Sequence, residues 1–188
     1  MTETSVDLID AVKRACLVAA DKAMRAGGFV LEPQLHMLLD AWEQPYLGYL
    51  FTRPYRDGVD AVRAIIRLGD AAAAARATRV VVAWEHADLH TSVHGGRDYP
   101  NGMAVVVASL SDGHTLRWHP VVLDVGSDEH GLPAIVPRWG VPVTIERATL
   151  PPVIATLLTT WRAQTGSARV VFAEMLAEGY TIQAVPRH

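Results

Sequence analysis

The sequence predicts an α/β (α+β) domain with a mixed sheet that contains one βαβ unit and one antiparallel hairpin, flanked by about five helices. A strand-like run, a long amphipathic stretch and a second strand-like run follow one another from Tyr46 to Glu85. Two β-rich runs enclose Ser111-Asp112-Gly113, and the segments at both ends of the chain carry apolar residues spaced three and four apart.

From Val6 to Ala26, Ile9, Val12, Cys16, Ala19, Ala20 and Ala23 form one apolar stripe, and Gly27-Gly28 stops the helix. After an extended piece, Phe29 to Leu31, Pro33 suits a first helical turn, and Leu35, Leu38, Leu39 and Trp42 make a second apolar face. The expectation is a helical N-terminal part over 1–43. Tyr46 to Thr52 then reads as a strand, Asp57 as an N-cap, Val59 to Arg76 as a helix and Arg79 to Glu85 as a strand. A right-handed crossover sets the two strands parallel in one sheet, and the run Val80-Val81-Val82 implies cover on both faces.

Met103 to Leu110 and His114 to Val125 make the hairpin; Pro120, which lacks an N–H, marks an edge or a bulge. Glycine, proline and charge from Gly126 to Pro142 read as an exposed loop before a short strand at Val143 to Glu146. Thr149 and Pro151 start a helix that carries Val153, Ile154, Leu157, Leu158 and Trp161 to about Arg162. A last helix over Ala168 to Glu178, stopped by Gly179, leads to a strand at Tyr180 to Val185. Nothing divides 1–188 into two domains: 46–125 holds the βαβ unit and hairpin, and 143–185 the closing strand, helices and strand.

Half of the 188 residues are apolar and 20% are charged, an ordinary globular composition. A formal charge of -3 generates no field that gathers nucleic acid or acidic lipid, and aromatics at 7% are not interleaved with basic runs. No apolar run reaches the length of a membrane span and no basic-then-apolar leader opens the chain, so cytoplasm is the expected setting. The Ala, Arg and Val richness resembles that of proteins from GC-rich bacteria. The single cysteine, Cys16, reads as a small buried hydrophobe.

Six of the eight histidines fall between His86 and His130, and His86, His90 and His94 recur every fourth residue beside Glu85, Asp88 and Asp98. Imidazoles four apart on a helix lie nearly above one another, so two could share one zinc or manganese ion, with Asp98 or the third histidine completing the set. Glu85, closing an apolar strand after Trp84, is partly desolvated and suited to acid/base work; its competing role is to cap a helix or pair with Arg53 or Arg56. Arg53 and Arg56, where Arg53-Pro54-Tyr55-Arg56-Asp57-Gly58 enters a helix, suit a small anionic ligand, although no phosphate-loop glycine pattern is present. His119 is expected on the solvent side of its strand with Thr115 and Arg117, and His130 in a mobile acidic loop.

No nucleophile elbow, paired CxxC or nucleotide-binding lysine motif occurs. The sequence therefore favours a protein that acts by binding, in an accessory, regulatory or partner-neutralising role, with no cofactor expected. Its partner is another protein or a second copy through the hairpin's edge strand. The alternatives are a metal-assisted hydrolase at His86, His90, His94 and Asp98 with Glu85 as base, and an anion or small-molecule domain at the 53–58 turn.

Overall fold

The structure, a computed structural model, describes residues 3–27, 31–111, 113–127 and 130–185. Among them are five helices, α1 (Glu3–Arg25), α2 (Gly58–Ala74), α3 (His86–His94), α4 (Pro152–Arg162) and α5 (Ala168–Glu178). The strands are β1 (Gln34–Leu38), β2 (Tyr46–Phe51), β3 (Arg79–Glu85), β4 (Gly102–Ser109), β5 (His114–Ser127), β6 (Pro133–Trp139), β7 (Val143–Glu146) and β8 (Thr181–Ala184). They form one open sheet in the order β6-β5-β4-β3-β1-β2-β8, with β7 paired to β5 off that path.

The helix expected across Leu35 to Trp42 is instead β1, so 1–43 is not a helical part. All five residues of β1 are buried, and they alternate in the strand period. Leu35 and Met37 enter the core beneath α2 and α4, whereas Leu38 enters the core beneath α1. A short run buried on both faces has no polar side to reveal its period, which is why its apolar spacing also fits a helix. Of the extended piece, only Leu31 lies within the described residues.

The βαβ unit is present as β2, α2 and β3, and its two strands run the same way. They are not neighbours: β1 lies between them, antiparallel to each. Every described pairing in the sheet is antiparallel, which replaces the mixed pairing expected. The hairpin of β4 and β5 forms as expected, although Asp112 in its turn lies outside the described residues. The exposed loop expected over Gly126 to Pro142 contains β6, whose register runs from Val121↔Trp139 to Ser127↔Pro133. Pro133 and Pro137 fit there because β6 is an edge strand with one row of backbone donors unpaired. Pro120 sits where β5 leaves β4 and begins to pair with β6, a place where a missing N–H interrupts no ladder.

Helices cover both faces of the sheet. On one side Ala64, Ile65 and Leu68 of α2 and Ile154, Leu157 and Trp161 of α4 pack on Val80 and Val82. On the other, Ile9, Val12, Cys16 and Ala20 of α1 pack on Val81, Ala83, Met103 and Val105. Val80, Val81 and Val82 are wholly buried, as their succession predicts. The α2–α4 crossing requires Gly69, where an added Cβ would stand 2.4 Å from the Leu157 carbonyl oxygen. Gly179 ends α5 at φ +96°, the left-handed C-cap that its sequence position predicts. No helix among the described residues is long and apolar enough to cross a membrane.

Candidate functional site

The histidine segment is helical. Glu85 is its N-cap: the carboxylate, 5% exposed, accepts the Ala87 and Asp88 backbone N–H groups at 3.3 and 2.6 Å. It also accepts the Gly102 N–H at 3.1 Å, tying the start of α3 to the start of β4. Both oxygens therefore hold backbone donors, the helix-capping role weighed against catalysis. Pairing with Arg53 or Arg56 does not occur, because Arg53 forms two bonds to Asp60, at 2.7 and 2.5 Å. Asp60 also accepts the Arg56 N–H, and Asp57 caps α2 by accepting the Asp60 N–H. Hydrogen bonds from Arg53 and then from the Arg56 backbone hold the Asp60 carboxyl well below the usual carboxylate range. The protein's own carboxylates thus occupy the Arg53 guanidinium and the Arg56 and Asp60 N–H groups at the 53–58 turn.

His86, His90 and His94 form a column along α3. The His86 and His90 ring centres are 4.4 Å apart, and those of His90 and His94 are 5.7 Å apart. Trp118 meets His86 edge-on at 5.2 Å, and Tyr99 stacks on His90 at 4.9 Å. Burial lowers the pKa of His86; burial, and then the neighbouring His86 and His94, lower that of His90. Asp98 lies exposed in the loop after α3. Among the described residues, no three His, Cys, Asp or Glu side chains are grouped so as to hold a metal ion. The strand-end position also loses its special standing, since β3 lies between antiparallel neighbours and the switch-point rule concerns parallel sheets.

Two histidines outside that column have structural surroundings of their own. His119 is buried beneath α1 rather than on the solvent side of β5, and His114 makes a 2.7 Å contact from Nε2 to the Ala148 carbonyl oxygen. His130 is an exposed turn residue; Asp128 and Glu129 lie outside the described residues.

A further site was missed by sequence reasoning, because its polar residues Gln34 and His36 sit on the strand that reads as a helix. Between α1 and the β1–β2 pair lies a cavity of about 400 Å³, lined by Ala15, Cys16, Gln34, His36, Tyr49 and Phe51 among others. The period-two set Gln34, His36 and Leu38 turns one face of β1 toward α1, and that alternation was the available signal. His36 Nδ1 lies 2.7 Å from the Tyr46 hydroxyl, while Nε2 lies 3.2 Å from Gln34 Oε1 and 3.4 Å from Cys16 Sγ. With the tyrosine donating to Nδ1 and Nε2–H donating to Gln34, the imidazole is neutral and both nitrogens are used. Burial pushes His36 down to about 4 and Cys16 up to about 12, so the pair is an uncharged imidazole and thiol. A thiol so buried is no activated nucleophile, in keeping with the role its sequence position predicts.

Gln34 gives the cavity its one conspicuous demand. The residue is 3% exposed, its oxygen is used by His36, and its Nε2 has no hydrogen-bond partner. A buried amide donor left unmatched costs about 1–3 kcal/mol. No protein-family model, curated protein or solved structure matches the chain.

Proposed function

We propose that the protein acts by binding a small, uncharged, largely apolar molecule in the cavity between α1 and the β1–β2 pair. The observation that carries this is an apolar cavity large enough for a ligand, with Gln34, whose Nε2 is buried and unpaired, among its lining residues. A carbonyl oxygen on the ligand would accept from Gln34, with Tyr49 and Phe51 alongside its apolar body. The setting is the bacterial cytosol, in keeping with a lone thiol, and the role is accessory or regulatory.

A matched pair of probes tests this. 2-Acetylnaphthalene is expected to bind about tenfold more tightly than 2-ethylnaphthalene, which lacks only the acceptor, when titrated by fluorescence. Gln34→Leu is expected to abolish the preference, and Ala15→Trp, at an exposed position on the cavity wall, to abolish binding of both. Equal binding of the two probes, or binding untouched by Ala15→Trp, would refute the assignment.

Association of two copies is a second reading, favoured by the apolar side chains that the β5–β7 region exposes. Val122, Val125, Leu132, Val141, Val143 and Ile145 are all exposed, Val125 at 79%. β6 is also an edge strand. Light scattering is expected to give a dimer mass for the wild type and a monomer mass for Val125→Lys combined with Val143→Lys. A wild-type monomer at high concentration contradicts it.

A further inference from the structure

A second cavity lies on the opposite flank of α1, where the helix meets β5 and β6. It measures about 370 Å³ and is lined by Leu17, Val18, Asp21, Lys22, His119 and Trp139. Its chemistry differs from that of the Gln34 cavity. His119 is 8% exposed, and its Nε2 is buried without a hydrogen-bond partner. Burial, followed by the positive charges of Arg117 and Lys13, lowers the His119 pKa, so the ring is neutral at pH 7 and can offer an N–H.

The acid beside this cavity is already engaged. Asp21 accepts from Arg25 at 2.7 Å and from the Trp139 indole N–H at 3.0 Å. Lys22, by contrast, has no ion-pair partner among the described residues. The residues around the cavity therefore include an exposed lysine without an ion-pair partner, a histidine whose Nε2 is buried and unpaired, and the apolar side chains of Leu17, Val18 and Trp139.

We infer that this cavity is a binding site for an organic monocarboxylate with a short apolar chain. The carboxylate has two oxygens to divide between Lys22 Nζ and His119 Nε2, and the chain lies along Leu17, Val18 and the Trp139 indole. An alcohol of equal length buries the same chain but brings no charge to Lys22, so the head group decides affinity. The site does not depend on occupancy of the Gln34 cavity, since the two are lined by different residues of α1.

Calorimetric titration with octanoate and 1-octanol tests the inference. Octanoate is expected to bind in one-to-one stoichiometry, about tenfold more tightly than 1-octanol. Lys22→Gln is expected to remove that preference, Lys22→Arg to keep it and His119→Phe to weaken octanoate. Ala15→Trp, which fills the other cavity, is expected to leave octanoate binding intact, so the two sites are tested separately. Octanoate binding no tighter than 1-octanol, unchanged in Lys22→Gln, lost in Ala15→Trp or absent altogether overturns the proposal. Lys22→Gln keeps the test decisive should His119→Phe fail to fold, because the lysine is exposed on the helix surface.

Discussion

Glu85→Ala is expected to destabilise the protein by about 3 kcal/mol, the combined loss of a helix cap and of a buried acceptor for a strand amide. Three backbone donors, those of Ala87, Asp88 and Gly102, converge on this one carboxylate. Alanine leaves all three without it, and the Gly102 N–H is buried where water does not readily replace the lost oxygen. Glu85→Gln is expected to cost less, about 1–2 kcal/mol, because one oxygen survives. Placed at Oε1, that oxygen still accepts from Ala87 and Gly102, whereas the new amide group opposes the Asp88 N–H. Urea denaturation checks this ordering through a lower midpoint at unchanged slope. In a chain of 188 residues the alanine variant should melt about 6–12 °C lower. Alanine and glutamine variants as stable as the wild type would remove Glu85 from the architecture.

Acidification is expected to weaken the fold through His36. Its folded pKa of about 4 lies below the ordinary value of 6.5, and burial is the cause. Between those two pH values the unfolded chain takes up a proton that the native imidazole refuses. Stability therefore rises with pH across that window, is fully present above it and is lost as pH falls toward 4. The loss between pH 7 and pH 4.5 amounts to about 2–3 kcal/mol from this one group. His36→Gln is expected to be less stable at pH 7, because the Tyr46 and Gln34 contacts change, yet to show a flatter acid limb. Unfolding free energies at the two pH values, compared between variant and wild type, supply the measurement. An equally steep limb in the variant would assign the acid response to His86, His90 and His119, whose pKa values are also lowered.

Elements with caps, a one-sided apolar stripe or an unbroken β-branched run were legible in the sequence. The Asp57 cap, the α2 stripe, the β3 valines, Pro151 before α4 and Gly179 after α5 each act through local chemistry, and each does what its residue type requires. β1 was not legible, because the neighbours that bury it on both faces come from α1 and α2, on either side of it in the chain. β6 was hidden for a different reason: its two prolines are turn residues locally, and only an unpaired edge makes them acceptable in a strand.

The candidate sites follow the same division. That Glu85 and the histidines share one short segment was readable from spacing, but the hydrogen bonds that occupy Glu85 depend on Gly102, seventeen residues later. The Gln34–His36–Tyr46 cluster could be found only after β1 was recognised as a strand, since a helix would turn Gln34 and His36 to different sides. Cys16, from another helix, joins them through tertiary packing alone.

The placement of α1 has a consequence for how this chain can change. One helix serves as a partition between two cavities of different chemistry, with Cys16 facing one and Leu17 the other. Its buried stripe, Ile9, Val12, Cys16 and Ala20, sets the helix's height and tilt above the sheet. A bulkier side chain in that stripe would move the partition and reshape both compartments together, whereas a substitution on either flank alters one and leaves the other standing. The two cavities can thus change separately at the flanks while the stripe answers to both.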